Sequence, residues 1–230
     1  MAAKAKKRPI HETPAQGQLG FRFRQRGGWR PGVGRRRKNR RISDQKRPLL
    51  AARFPCHIVL RVDKELPNLR RSMGVFHQVF AAHAHKEGFR LVHFSVQQTH
   101  VHLVVEAENN AALSRGMQGL NISLARRLNI RWGRRGKVFV DRYFLRILKT
   151  PLEVKRALIY VLKNGHKHFT EQGEVVPSRW LDPCSSARYF DGWEGAKVRP
   201  PPGDPPPVAP PRTWLLNYGW RRHGLIPIGR

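Results

Sequence analysis

The chain is poor in acidic residues and in cysteine. Its 15 Asp and Glu stand against 45 Lys and Arg, a formal net charge of +30 over 230 residues. An imbalance of that size points to a polyanionic partner. Nucleic acid comes first, because released counterions drive such binding, and an anionic membrane surface second. The two cysteines, Cys56 and Cys184, lie far apart with no Cys-x-x-Cys spacing. A zinc ribbon or a disulfide framework is thereby excluded as the organising feature. No stretch is apolar and long enough to span a bilayer. The amino end, Met1 to Arg8, has the charges of a signal peptide but no apolar segment behind them. The expected location is therefore the cytoplasm, with the nucleoid as the place of work. No internal repeat is present, and the length suits one domain with tails.

Composition divides the chain into four parts. Residues 1–50 are rich in Arg, Gly and Lys, as in Arg35-Arg36-Arg37-Lys38-Asn39-Arg40-Arg41, and show no apolar period. They read as a disordered basic arm, an electrostatic anchor for nucleic acid. Residues 51–195 carry the periodic apolar pattern of a folded domain. Residues 196–211 form a Pro-rich linker, expected to act as a semi-rigid extended spacer. Residues 212–230 are apolar, aromatic and basic, and are expected either to fold back onto the core or to contact nucleic acid.

Within the folded part, His57 to Val62 is short and β-branched, which predicts a strand. Leu69, Met73, Phe76, Phe80 and His83 follow helical spacing through Lys86, with Gly88 as the stop. Phe89 to Gln97 and His100 to Ala107 predict two strands joined by a tight turn at Gln98-Thr99. Leu113, Met117, Leu120, Leu124 and Leu128 mark a second helix, and Lys137 to Lys149 a fourth strand. The order βαββαβ is the split ferredoxin-like arrangement of the α+β class, an antiparallel sheet with two helices on one face. A third helix follows. Thr150 is its N-cap, Pro151 its first position and Glu153 the partner in a capping box, and it is expected to run to about His168.

His100 and His102 are two apart in a strand, so alternation puts both on one sheet face, roughly 6.6 Å apart along the chain. Val101, Leu103 and Val105 point the other way, towards the two helices. The histidines are then expected on the uncovered face of the sheet. Two imidazoles so spaced can share a divalent metal ion, and they can equally be a plain polar outer face. His93, on the neighbouring strand, reads as lining the site or as a polar strand residue.

The third helix has an apolar stripe of Val154, Ala157, Leu158, Val161 and Leu162. Tyr160 falls off that stripe. Asn164, one turn on, is expected with it on the opposite side or flank, beside the basic residues Arg156, Lys163 and Lys167. Such a tyrosine either shields long basic side chains or serves as a nucleophile towards a phosphodiester.

Thr99-His100-Val101-His102-Leu103-Val104-Val105 resembles the Asn-His-Val-His-Leu-Leu-Val motif of single-tyrosine HUH transposases, nearest to the REP-associated tyrosine transposases. Tyr160-Val-Leu-Lys-Asn164 is similar to the Tyr-x-x-x-Asn helix of that family. Val138 to Tyr143 resembles its Phe-x-Asp-Arg strand, and Pro183 to Ala187 its Trp-Ser-Ser segment. The resemblance covers about residues 53–193, with the parts in matching order. Three departures stand out: Thr99 in place of Asn, Gly165 in place of the Pro that usually follows Asn164, and the added Pro-rich linker and tail.

The resemblance implies His100, His102 and Asn164 as ligands of Mg²⁺ or Mn²⁺. It also implies Tyr160 as the nucleophile that takes a 5′-phosphate and frees a 3′-hydroxyl. The implied substrate is single-stranded DNA with a short hairpin, cleaved and rejoined by a monomer or a homodimer. Arg156, Lys163, Lys167, Arg35, Arg36 and Arg37 would hold phosphates. The composition is equally compatible with a non-catalytic binder of structured DNA or RNA, and less so with a ribosome-associated protein.

Overall fold

The computed structural model describes residues 47–171, 177, 179–195, 198 and 205–228. The arm residues Arg35, Arg36 and Arg37 and the Lys167 side chain lie outside the described residues. Arg47 to Leu50, assigned to the arm by composition, already sit on the domain. The Arg47 guanidinium lies over the Tyr143 ring at 3.5 Å, and the Leu50 N–H donates to Asn110 Oδ1 at 2.7 Å.

Strand β1, Cys56–Arg61, alternates as its side chains require. Cys56, Ile58 and Leu60 are buried on one face, while His57, Val59 and Arg61 turn to the other. A 3-10 turn at Leu69–Ser72 is capped by Asn68, whose side chain accepts from the Arg70 N–H. It leads into α1, Met73–His83. The helix ends before the expected Lys86 because His85–Lys86 form a short strand, β2, paired with Phe89 and Arg90. Gly88, at φ 65°, supplies the left-handed turn of this hairpin instead of stopping a helix.

Strands β3, Phe89–Val96, and β4, His100–Ala107, form the expected antiparallel pair. The turn between them is held by backbone groups: Thr99 O accepts from Val62 N–H at 2.9 Å and Gln98 O from Leu69 N–H at 3.0 Å. Any residue supplies those groups, so Thr99 costs the turn nothing.

Helix α2, Asn110–Arg131, buries the whole predicted leucine stripe and is capped by Asn109. The expected fourth strand shrinks to β5, Phe144–Ile147. It pairs only with the first four residues of β1, and the preceding segment touches the sheet through a single bridge, Val62 with Phe139. Helix α3, Pro151–Glu171, starts at a full capping box. The Glu153 N–H donates to Thr150 Oγ1 at 3.2 Å, and the Thr150 N–H donates to Glu153 Oε2 at 3.1 Å. Such a cap stabilises a helix by about 1 kcal/mol.

The sheet order is β2-β3-β4-β1-β5, antiparallel throughout. Without the small β2, this is the ferredoxin-like order. Helices α1 and α2 close one face over Ile58, Leu60, Phe94 and Leu103. The other face is not open. Helix α3 packs across β3 and β4 there, and Val92, Val104, Val154, Leu158 and Val161 form a second core.

The chain after α3 completes that second layer. The described part of the Pro-rich stretch is docked rather than a free spacer. Ala209 N–H donates to Leu91 O at 2.8 Å, taking the edge of β3 where β2 stops. Glu106 accepts from the N–H groups of Arg212 and Thr213 at 2.8 Å each. The tail then folds back on the core, one of its two expected fates. A single-turn helix α4, Trp214–Asn217, and a 3-10 turn at Gly219–His223 carry Trp220 into full burial against Phe190. Two short parallel strands, β6 (Trp193–Glu194) and β7 (Ile226–Pro227), close the segment. Among the described residues, no helix is long and apolar enough to cross a membrane.

Candidate active site

Three elements meet beneath α3. Strand β4 presents His100 and His102 on the α3 face, as alternation requires. Their rings stand edge to face, 4.7 Å between centroids. Across the sheet, His102 lies opposite Val59 of β1 and Ser95 of β3. Helix α3 places Tyr160 above them, its ring edge-on to His102 at 5.0 Å. Tyr160 is 46% exposed, so the nucleophile candidate meets both His102 and solvent. His100 is half-buried, whereas His102 is only 3% exposed. The expectation of a histidine pair on an uncovered face is thus corrected: α3 and the folded-back tail cover it.

A third histidine, His57, belongs to this group and escaped the sequence reading. Its Nε2 lies 3.2 Å from Nδ1 of His102, with the two rings stacked at 5.3 Å. It also meets the Tyr160 ring edge-on at 5.9 Å. Burial, and secondarily the positive charge of Arg146 opposite it on β5, push the His57 pKa down to about 4. His57 is therefore neutral near pH 7. Alternation in β1 was the available signal, since it puts His57 on the face away from Ile58 and Leu60. Only the register to β4 brings it to His102.

Asn164 lies one turn beyond Tyr160 but faces inward, at 3% exposure. It continues the stripe of Ala157 and Val161, not the polar flank expected for it. Its amide nitrogen is buried and makes no hydrogen bond, a costly state unless another group engages the amide. The next residue, Gly165, packs directly on the carboxylate of Asp182. That carboxylate is buried and takes two hydrogen bonds from Arg70, at 2.8 and 2.9 Å, and one from the Cys184 N–H at 2.9 Å. The clamp ties the end of β3 to α3, because Arg70 also donates to Val96 O at 3.2 Å. Helix α3 runs on past Gly165 to Glu171, so the missing proline does not end it early.

The Pro183 to Ala187 segment supports the sheet. Ser186 Oγ accepts from the Phe94 N–H at 3.0 Å and pairs with His93 Nδ1 at 3.2 Å. His93 is thus a buried residue of the second core, edge-on to Phe190, and burial lowers its pKa to about 4.

The basic residues near the tyrosine differ in their surroundings. Arg156, one turn before Tyr160, is exposed. Lys163 donates to Pro227 O at 3.2 Å, holding the tail to α3, and burial lowers its pKa.

The side chains that would hold a divalent ion, as the motif resemblance implies, are His100 and His102 through ring nitrogens and Asn164 through its amide oxygen. Among the described residues, no three His, Cys, Asp or Glu side chains group closely enough to hold an ion by themselves. Two imidazole nitrogens and an amide oxygen are nevertheless a donor set that would fit an ion keeping water or phosphate oxygens as further ligands.

The family model of IS200-like transposases matches residues 52–164. That span runs from the start of the domain through both strand histidines to Tyr160 and Asn164. The domain belongs to the IS200-like transposase family. Solved structures similar to this chain include a REP-associated tyrosine transposase bound to a REP hairpin. It is 14% identical with a TM-score of 0.49, over 63% of this chain and 82% of that one. Another is a Deinococcus radiodurans R1 protein assigned as a transposase, 17% identical with a TM-score of 0.36, over 59% of this chain and 99% of that one. No curated protein matches the chain.

Proposed function

We propose that this transposase cleaves and rejoins single-stranded, hairpin-bearing DNA through a covalent bond to Tyr160. The observation that carries the reading is the placement of Tyr160, edge-on to a buried histidine on one side and open to solvent on the other. The tyrosine oxygen attacks the scissile phosphorus. A phosphorus–oxygen bond to Tyr160 forms, the bond to the 3′-oxygen breaks, and the phenol proton ends on the freed 3′-hydroxyl. The phosphotyrosine keeps the ester, so a 3′-hydroxyl can reverse the step without ATP.

His100, His102 and Asn164 would hold Mg²⁺ or Mn²⁺, which supplies charge stabilisation at the phosphate. Arg156, exposed one turn before Tyr160, would hold a neighbouring phosphate. The hairpin preference follows the solved relative that is bound to one.

The test is a covalent-adduct assay with labelled single-stranded hairpin DNA, with Mg²⁺ or Mn²⁺ and with EDTA. A metal-dependent adduct that survives SDS, and that is absent in Tyr160→Phe, is the expected result. Tight, salt-sensitive binding without any adduct would overturn the catalytic reading in favour of a nucleic-acid-binding module.

A further inference from the structure

The His57–His102 contact has a direction that chemistry can assign. Imidazole has two nitrogens, and in the neutral ring one donates while the other accepts. With Nδ1 of His102 engaged by His57 at 3.2 Å, Nε2 is the nitrogen of His102 that can face a ligand. An unprotonated Nε2 requires the proton on Nδ1. His102 then donates to His57 Nε2, and His57 carries its own proton on Nδ1. Histidines that bind metals commonly donate their second N–H to an outer acceptor, which fixes ring rotation and tautomer together.

The contact is built into the fold. His57 sits opposite Val104, diagonal to His102 across the β1–β4 ladder, a distance that ring side chains span. The near-parallel stacking of the rings, 23° between planes, leaves His102 little rotation. The edge contact with Tyr160 extends the same restraint to the nucleophile.

We propose that His57 is a positioning residue, accepting the Nδ1–H of His102 so that Nε2 of His102 is presented to the metal ion. The proposal rests on the metal reading above. Its test uses the full chain and two readouts. The first is Mn²⁺ affinity, measured by titration with electron paramagnetic resonance detection, for the native protein, His57→Phe and His57→Gln. His57→Phe should weaken Mn²⁺ binding by about 10- to 100-fold. His57→Gln, whose amide oxygen can accept the same hydrogen bond, should recover much of the loss. The second is the tautomer of His102 in the native protein, read from long-range nitrogen–proton spectra, which needs no variant to fold. Protonation at Nδ1 is expected.

Native Mn²⁺ affinity in a folded His57→Phe, or an Nε2-protonated His102 in the native protein, would overturn the assignment while leaving the metal reading intact. Failure of the native protein to bind Mn²⁺ would overturn both.

Discussion

Gly165 and Asp182 compete for one space. A Cβ on residue 165 would fall inside the Asp182 carboxylate, and that carboxylate is held in place by Arg70. Gly165→Ala must therefore displace the acid or lift α3. Breaking a buried ion pair costs on the order of 3 kcal/mol, which outweighs the ~1 kcal/mol that alanine gains over glycine in a helix. Urea denaturation should show the loss. An unchanged midpoint would mean the clamp yields freely.

Tyr160→Phe removes one oxygen from a half-exposed ring. Its edge contacts with His102 and His57 involve the ring, not the hydroxyl position, so fold and DNA affinity should be unchanged within experimental scatter. Covalent adduct formation should vanish. Residual cleavage by a clean preparation of this variant would take Tyr160 out of the chemistry.

Deleting residues 1–46 leaves Arg47 and Leu50 to make their contacts with Tyr143 and Asn110. The shortened protein should fold normally. Its affinity for single-stranded DNA should drop and its salt dependence flatten, by about 0.7 in slope for each phosphate that the arm neutralises in the intact protein. The cleavage position should not move; a shift would show that the arm reads sequence.

Acid should weaken the fold through His93. Its folded pKa, about 4, lies below the ordinary 6.5, so the unfolded chain takes up the proton first as pH falls. Stability is then level above pH 7 and declines from about 6.5 towards 4, by up to roughly 3 kcal/mol for this group. His57, with its pKa lowered in the same direction, adds to the slope. Unfolding midpoints at pH 7.5 and 4.5 should converge in His93→Gln relative to the native protein. An identical acid loss in both would assign the effect elsewhere.

How much of this was legible in the chain depended on range. The leucine stripe of α2, the capping box of α3 and the alternation of β4 are local patterns, and each is present as read. The early end of α1 is not local. His85 and Lys86 leave the helix because β3 offers them strand pairing, which no helical period discloses. Burial of the histidine face depends on α3 and on a tail more than 100 residues distant from β4, so the strand by itself looked half exposed. Asn164 was assigned to the wrong side because an amide on an apolar stripe reads as polar flank. His57 required the register between two strands 45 positions apart, which alternation alone does not supply.

The buried thiols have a kinetic meaning. Cys56 on the central strand is fully enclosed, and burial pushes its pKa up to about 12; Cys184 lies in the edge segment beside Asp182 and is shielded almost as well. Neither should react with an alkylating reagent until the chain around it opens. The native protein thus contains two clocks at different depths. One counts detachment of the loop that follows α3, and the other counts loss of the sheet itself.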